Sequence, residues 1–203
     1  QSSGHHSNHD APGSGVAGVL EQVAEHLLHL IKPGGPTYRK WGVHEHLDAL
    51  AAVLVDCVEG GASVSYLAPF SHEAARGEFA TWADEVEQGR RLLLAAFVDG
   101  ELVGTVQVVF AWPPNQPHRA DIAKLLVRRS ARRRGVAERL MEQAEAHAHR
   151  EGRTLLVLDT VTGDAAERLY QRLGWTTVGV IPGYALYPDG RPCDTTVFWK
   201  SLV

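Results

Sequence analysis

Arg132-Arg133-Arg134-Gly135-Val136-Ala137 is the stretch whose reading decides the fold. It follows an apolar run over 120–127 and opens a segment with helical spacing. Val136, Leu140, Ala144 and Ala148 fall on one stripe, which predicts a long helix from about 134 to 151. A helix N-terminus carries unpaired N–H groups and a partial positive charge. Gly135 and the small Ala137 let the backbone close on an anion, and arginines add charge-assisted hydrogen bonds. The stretch therefore reads as an anion site of diphosphate type, or, on loop composition alone, as a helix start with exposed arginines.

Upstream, the apolar runs 91–98 and 101–110 are joined by Asp99-Gly100, a hairpin signal. Trp112-Pro113-Pro114-Asn115-Gln116-Pro117 is a rigid loop that proline keeps out of a central strand. Ser71 caps a helix with Glu73 in its first turn. The segment 44–58 is a second helix with Leu47, Leu50, Ala51, Leu54 and Val58 on one face, stopped at Gly60-Gly61. A short first strand is expected at 38–41. Downstream, 154–158 is a nearly continuous apolar strand of the kind buried on both faces. A helix over 164–173 is stopped by Gly174, and strands at 175–181 and 195–200 flank a turn-rich loop, 182–192. The expected fold is mixed α/β: a mostly antiparallel central sheet of about seven strands with about four helices.

Residues 1–37 read as a flexible tail and an amphipathic helical extension, the domain proper being 38–203. Val19, Leu20, Val23, Leu27, Leu30 and Ile31 give helical spacing over 16–31 before Pro33-Gly34-Gly35-Pro36 breaks it. His5, His6 and His9 sit in a Ser/Gly/Asn-rich stretch better read as a tail than as a metal site, so no metal is expected. Cys57 and Cys193 are far apart and lack metal-ligand spacing, which fits a reducing, cytoplasmic setting. No run is long and apolar enough for a membrane span. The net charge of −4 gives no general case for a nucleic-acid partner.

Arg132, Gly135 and Ala137, set between a strand and a long helix, resemble the (Gln/Arg)-x-x-Gly-x-(Gly/Ala) signature of the GNAT acetyltransferase superfamily. The Asp99–Gly104 hairpin and the Leu169-Tyr170…Leu173-Gly174-Trp175 segment are further matches, and the resemblance runs from about residue 38 to 202. It implies acetyl-CoA as co-substrate and a sheet splayed at the cofactor strand. Leu125, Leu126 and Val127 would offer their backbone to the pantetheine arm, as a partner strand would receive it. Arg132, Arg133, Arg134, Gly135, Val136, Ala137 and Glu138 would hold the diphosphate. An alternative on the same fold is a non-catalytic acyl-CoA sensor.

Acetyl transfer needs a neutral amine, and an alkylamine has a pKa of about 10, so a base is expected. The resemblance makes Tyr170 the general acid. Asp121 and Asp159 compete for the base: Asp121 stands eleven residues before Arg132, and Asp159 ends an apolar strand where burial would raise its pKa. A closer likeness, through Leu158-Asp159-Thr160 and Ile181-Pro182-Gly183-Tyr184, is to the tabtoxin resistance protein-like acetyltransferases, which implies Asp159 and Tyr170 as a pair. Tyr66, Trp112, His118 and Tyr184 are expected walls of the acceptor pocket. The expected acceptor is a small amine, an antibiotic or amino-acid-like toxin among the possibilities, with a peptide or protein amine as the alternative. The expected state is monomer or homodimer.

Overall fold

The computed structural model describes residues 29–31, as backbone, and 42–203. In chain order the elements are β1 (His29–Ile31), a 3₁₀ turn (Val43–His46), α1 (Leu47–Glu59), α2 (His72–Glu87), β2 (Arg91–Val98), β3 (Glu101–Phe110), β4 (Arg119–Val127), a second 3₁₀ turn (Arg129–Ala131), α3 (Val136–Arg150), β5 (Leu155–Val161), α4 (Ala165–Arg172), β6 (Thr176–Leu186) and β7 (Pro192–Ser201). The strands form one sheet in the order β1-β2-β3-β4-β5-β7-β6. β1 with β2 and β4 with β5 are parallel, and the other neighbours are antiparallel. Among the described residues this is the mixed, mostly antiparallel sheet with four helices that the sequence predicts.

Two apolar clusters hold the helices to the two faces. Leu50, Leu54 and Val58 of α1 and Phe79, Trp82 and Val86 of α2 pack on Leu93, Ala95 and Leu126. On the opposite face Leu140, Met141 and Ala144 of α3 and Tyr170 of α4 pack on Val106, Val108, Ile122, Leu158 and Phe198. The Ser71 hydroxyl accepts from Ala74 N–H, the cap expected for α2. Asp99 and Gly100 both take positive φ, 52° and 85°, as a two-residue hairpin turn requires.

Three expectations change. The helical spacing over 16–31 fails at its end, because His29–Ile31 is a strand paired in parallel with Leu94–Ala96. The open edge of β2 supplies backbone partners there, a tertiary gain that local periodicity does not register. The rest of that helix and the strand expected at 38–41 lie outside the described residues. The loop expected at 182–192 is largely strand: β6 runs to Leu186 and β7 begins at Pro192. Pro182 is accommodated because β6 bulges between Ile181 and Ala185, taking four steps against two on β7. Strand β5 extends three residues beyond its apolar run, to Val161, by pairing with β7.

Candidate active site

Strand β4 is zipped to β5 only over Arg119–Asp121, opposite Leu155–Val157. Beyond that point β5 continues to pair with β7, and β4 continues to pair with β3. The residues after Asp121 therefore have no strand partner on the β5 side, and the sheet opens. The β3–β4 register slips within the opened part, where two steps on β3, Thr105 to Gln107, face three on β4, Leu126 to Ala123. Lys124 takes up the extra residue at φ 50°. The bulge reverses the alternation of side chains. Ala120 and Ile122 face the α3 cluster, whereas Leu126 faces the α1–α2 cluster and Leu125 and Val127 pack back towards α3.

The opened strand leads into the arginine loop, and the five arginines divide by partner. Arg128 pairs with Glu101. Arg129 donates its backbone N–H and Nε to the two oxygens of Asp56 at 2.8 and 2.9 Å, clipping the loop to the end of α1. Burial acts to raise the Asp56 carboxyl, but the Arg129 hydrogen bonds outweigh it and leave its pKa below the usual value. Arg132 Nε donates to Val127 O at 3.2 Å. Arg133 and Arg134 are exposed and have no side-chain partner among the described residues. Arg133 and Gly135 have φ of 60° and 75°, a turn that gathers successive amides before α3. The first bond into that helix runs from Arg139 N–H to Gly135 O, at 3.1 Å. Among the described residues no acceptor meets the N–H groups of residues 133–138. An opened strand edge, six free amides and two free guanidiniums in series fit a long ligand with an amide-bearing arm and a diphosphate.

Asp159 and Tyr170 lie on opposite faces of the sheet, near enough for the Asp159 charge to act on the Tyr170 hydroxyl. Asp159 pairs with Val197 and lies on the α1–α2 face, two residues beyond Val157 and on its side. Tyr170 is buried on the α3–α4 face, its ring 6.0 Å from Trp175 and from Phe198. Burial pushes the Tyr170 hydroxyl up, and the Asp159 charge adds to the rise. Asp159 reaches solvent at one edge, yet the surrounding cleft desolvates it and raises its pKa; Lys124 draws it back and Asp121 pushes it up again. Asp121 is on the same face but inside the zipped third, held at 2.6 Å by Arg119 Nη1. That ion pair occupies Asp121, whereas the Asp159 carboxylate has no ion pair among the described residues.

The segments that carry the expected walls Tyr66 and Tyr184 converge on the Asp159 side of the sheet. The segment between α1 and α2 is tied to the β6–β7 hairpin by Ser63 Oγ to Leu186 O, 2.7 Å, and Ala68 N–H to Pro188 O, 2.9 Å. Tyr66 stacks on Phe70 there with centroids 4.2 Å apart. Tyr184 is exposed on the β6 bulge, where Gly183 N–H donates to Asp194 Oδ1 at 2.8 Å. Trp112 and His118 are not brought to this end. They precede Arg119, six strand residues and about 20 Å from Leu125. Trp112 is 88% exposed, and His118 O receives Thr154 and Leu155 N–H.

Lys124 was not singled out by sequence, yet it is central to this end. Its Nζ donates to Val64 O at 3.1 Å and Ser65 Oγ at 2.8 Å, and sits 5.5 Å from the Tyr66 ring centroid. Burial lowers its pKa; Glu78 and Asp159 oppose that, and Arg91 adds to it. The one available signal was a charge set between Ala123 and the apolar run Leu125-Leu126-Val127. Both cysteines are buried and unbridged. Among the described residues no helix is long and apolar enough to cross a membrane.

The model of the Acetyltransferase (GNAT) family matches residues 62–175, from the loop beside Asp159 to the end of α4. Solved structures of similar fold include an N-acetyltransferase from Staphylococcus aureus Mu50, 18% identical with TM-score 0.69, covering 79% of this chain and 94% of that one. Ribosomal-protein-alanine N-acetyltransferase from Brucella melitensis is 21% identical with TM-score 0.68, over 78% of this chain and 95% of that one. The yncA protein of Salmonella typhimurium, solved with its cofactor acetyl-CoA, is 17% identical with TM-score 0.68, over 79% and 90%. At these identities the likeness speaks for the fold.

Proposed function

Because the chain belongs to the acetyltransferase (GNAT) family, we propose that it moves an acetyl group from acetyl-CoA to the primary amine of a small molecule by direct transfer. The observation that supports this reading is the parting of β4 from β5 beyond Asp121, with Asp159 on one face there and Tyr170 on the other, near enough for the Asp159 charge to act on the Tyr170 hydroxyl. In this reading Asp159 is the base and Tyr170 the acid, and the opened β4 edge leads on to the free amides of residues 133–138.

Each group has a task its surroundings suit. Asp159 has a raised pKa, so its carboxylate accepts a proton from the incoming ammonium more readily than an ordinary aspartate. The neutral amine then attacks the acetyl carbon. Backbone N–H groups of the bulged β4 segment, free on the β5 side, stabilise the oxygen as it gains charge. As the carbon–sulfur bond breaks, the Tyr170 hydroxyl gives its proton to the departing sulfur. Its raised pKa keeps that proton in place until then. The second amine proton restores Tyr170, directly or through water, and Asp159 returns its proton to solvent. Leu125, Leu126 and Val127 would hold the pantetheine arm, and Arg133 and Arg134 the diphosphate.

The bound loops favour a small acceptor over a protein one. Lys124, Leu186 O and Pro188 O fasten the 62–70 segment across the opening, so a peptide would have to displace it. An antibiotic or an amino-acid-like toxin fits this class. The test is release of CoA thiol from acetyl-CoA with a panel of amines, amino acids, aminoglycosides and peptides. Turnover only with peptides would overturn the small-acceptor reading. Tight acetyl-CoA binding with no turnover for any acceptor would replace it with a sensor.

A further inference from the structure

One row of side chains crosses the acceptor face of the sheet at the level of the opening. Leu93 pairs with Gln107, and Gln107 pairs with Ala123. Ala123 is two residues beyond Asp121, and Asp159 two beyond Val157, the partner of Asp121. Gln107, Ala123 and Asp159 therefore lie level on one face, with only a methyl group between the amide and the carboxylate. Two strand spacings of roughly 4.8 Å separate the outer backbones by about 10 Å, and the opening widens this. The amide of Gln107 and the carboxylate of Asp159 thus lie on either side of Ala123 in one row, and the Lys124 ammonium, held by Ser65 and over the Tyr66 ring, belongs to the same face.

Gln107 is fully buried. Its Oε1 accepts from Arg91 Nη1, which fixes the amide orientation, and Arg91 is held on its other side by Glu85. The Nε2 donors then have no partner among the described residues. A buried amide N–H left unpaired carries its desolvation cost uncompensated, so a pair of them in a buried site calls for an acceptor. Lys124, at the next position along β4, turns its ammonium into the same space.

We propose that Gln107 is a specificity-determining residue: its Nε2, aided by Lys124, binds a carbonyl-type oxygen of the acceptor, carboxylate or carboxamide, while the acceptor's amine faces Asp159. The inference rests on the acetyl-transfer reading and narrows its substrate class to amines that carry such an oxygen a few bonds away. Glu78 and Asp159 keep the pocket from being purely cationic, which suits a zwitterion or a neutral amide better than a simple anion.

The test uses the full chain with L-amino acids, their carboxamides, and the alkylamines in which hydrogen replaces the carboxyl group. Wild type should turn over the oxygen-bearing members about tenfold or more better in kcat/KM than the matched alkylamines. Gln107→Glu keeps an oxygen for Arg91 and removes the donor, so the fold is retained. It should erase the preference by lowering kcat/KM for the oxygen-bearing members to the level of the matched alkylamines. Equal use of the three classes by wild type, or a preference that survives in Gln107→Glu, overturns the proposal. Nitrogen-labelled protein supplies a readout without turnover. The Gln107 side-chain amide resonances should shift on adding amino acids or carboxamides and not on adding alkylamines. If wild type turns over nothing while those resonances shift, the acetyl-transfer reading fails and the binding site stands; if they do not shift, the site itself fails.

Discussion

The two ends of β4 share a strand and differ in what they do. Over Arg119–Asp121 both edges are paired, Asp121 is locked to Arg119, and the adjoining loop is tied to β5 through His118 O. Beyond Asp121 one edge is free, the backbone bulges at Lys124, and the strand runs into a turn with unpaired amides. The first end is fully paired, and the second leaves backbone groups free for a partner. The difference lies in backbone pairing more than in residue type, since charged side chains occur at both ends.

The largest effects should come from the groups at the open end. Tyr170→Phe and Asp159→Asn should each lower kcat by about 10²–10⁴ and spare acetyl-CoA affinity, read by thiol release and calorimetry. Asp121→Asn, in the zipped end, should cost less than about tenfold. If Asp121→Asn proved the more damaging, the assignment of the two ends would be reversed. The pH profile sharpens the same contrast. Asp159 must lose its proton to act, so turnover should rise with pH through its raised pKa. The stability linkage has the opposite sign. The folded state holds this proton more tightly than the unfolded chain, so stability falls as pH rises from the unfolded value through the folded one. Asp159→Asn should therefore melt above wild type at neutral pH, and the gain should vanish in acid.

Next in size is the junction between the strand and the loop. A Cβ at Gly104 would stand 2.9 Å from Leu126 O and 3.2 Å from Leu140 and Val136 side chains. Gly104→Ala should cost about 1–3 kcal/mol in urea unfolding and disturb the loop it supports. An unchanged midpoint would mean that β4 and α3 are less tightly seated than the contacts indicate. Arg133→Ala or Arg134→Ala should weaken acetyl-CoA about tenfold, near 1.4 kcal/mol, with a steeper loss in low salt. Arg128→Ala and Arg129→Ala should act mainly on stability, because Glu101 and Asp56 already occupy those side chains. The smallest effect belongs to the closed end. Trp112→Ala should leave acceptor KM unchanged and stability within about 0.5 kcal/mol. A raised KM would bring the 112–118 loop back into the acceptor site.

Much of this was legible in the chain alone. The apolar run, the Gly135 turn and the stripe through Leu140 and Ala144 determine a strand, a loop and a helix in that order, because periodicity and turn chemistry are local. That order, with Arg132, Gly135 and Ala137, was enough to reach the family. Only the tertiary structure decided where β4 and β5 part, since pairing is set by register between distant segments. It also decided that Lys124 bulges and turns the following residues over, that Asp159 stands beyond the last β4–β5 pair whereas Asp121 belongs to it, and that the Gln107 Nε2 is buried without a partner. Each of these depends on which groups meet across the sheet, and spacing along the chain carries no record of that.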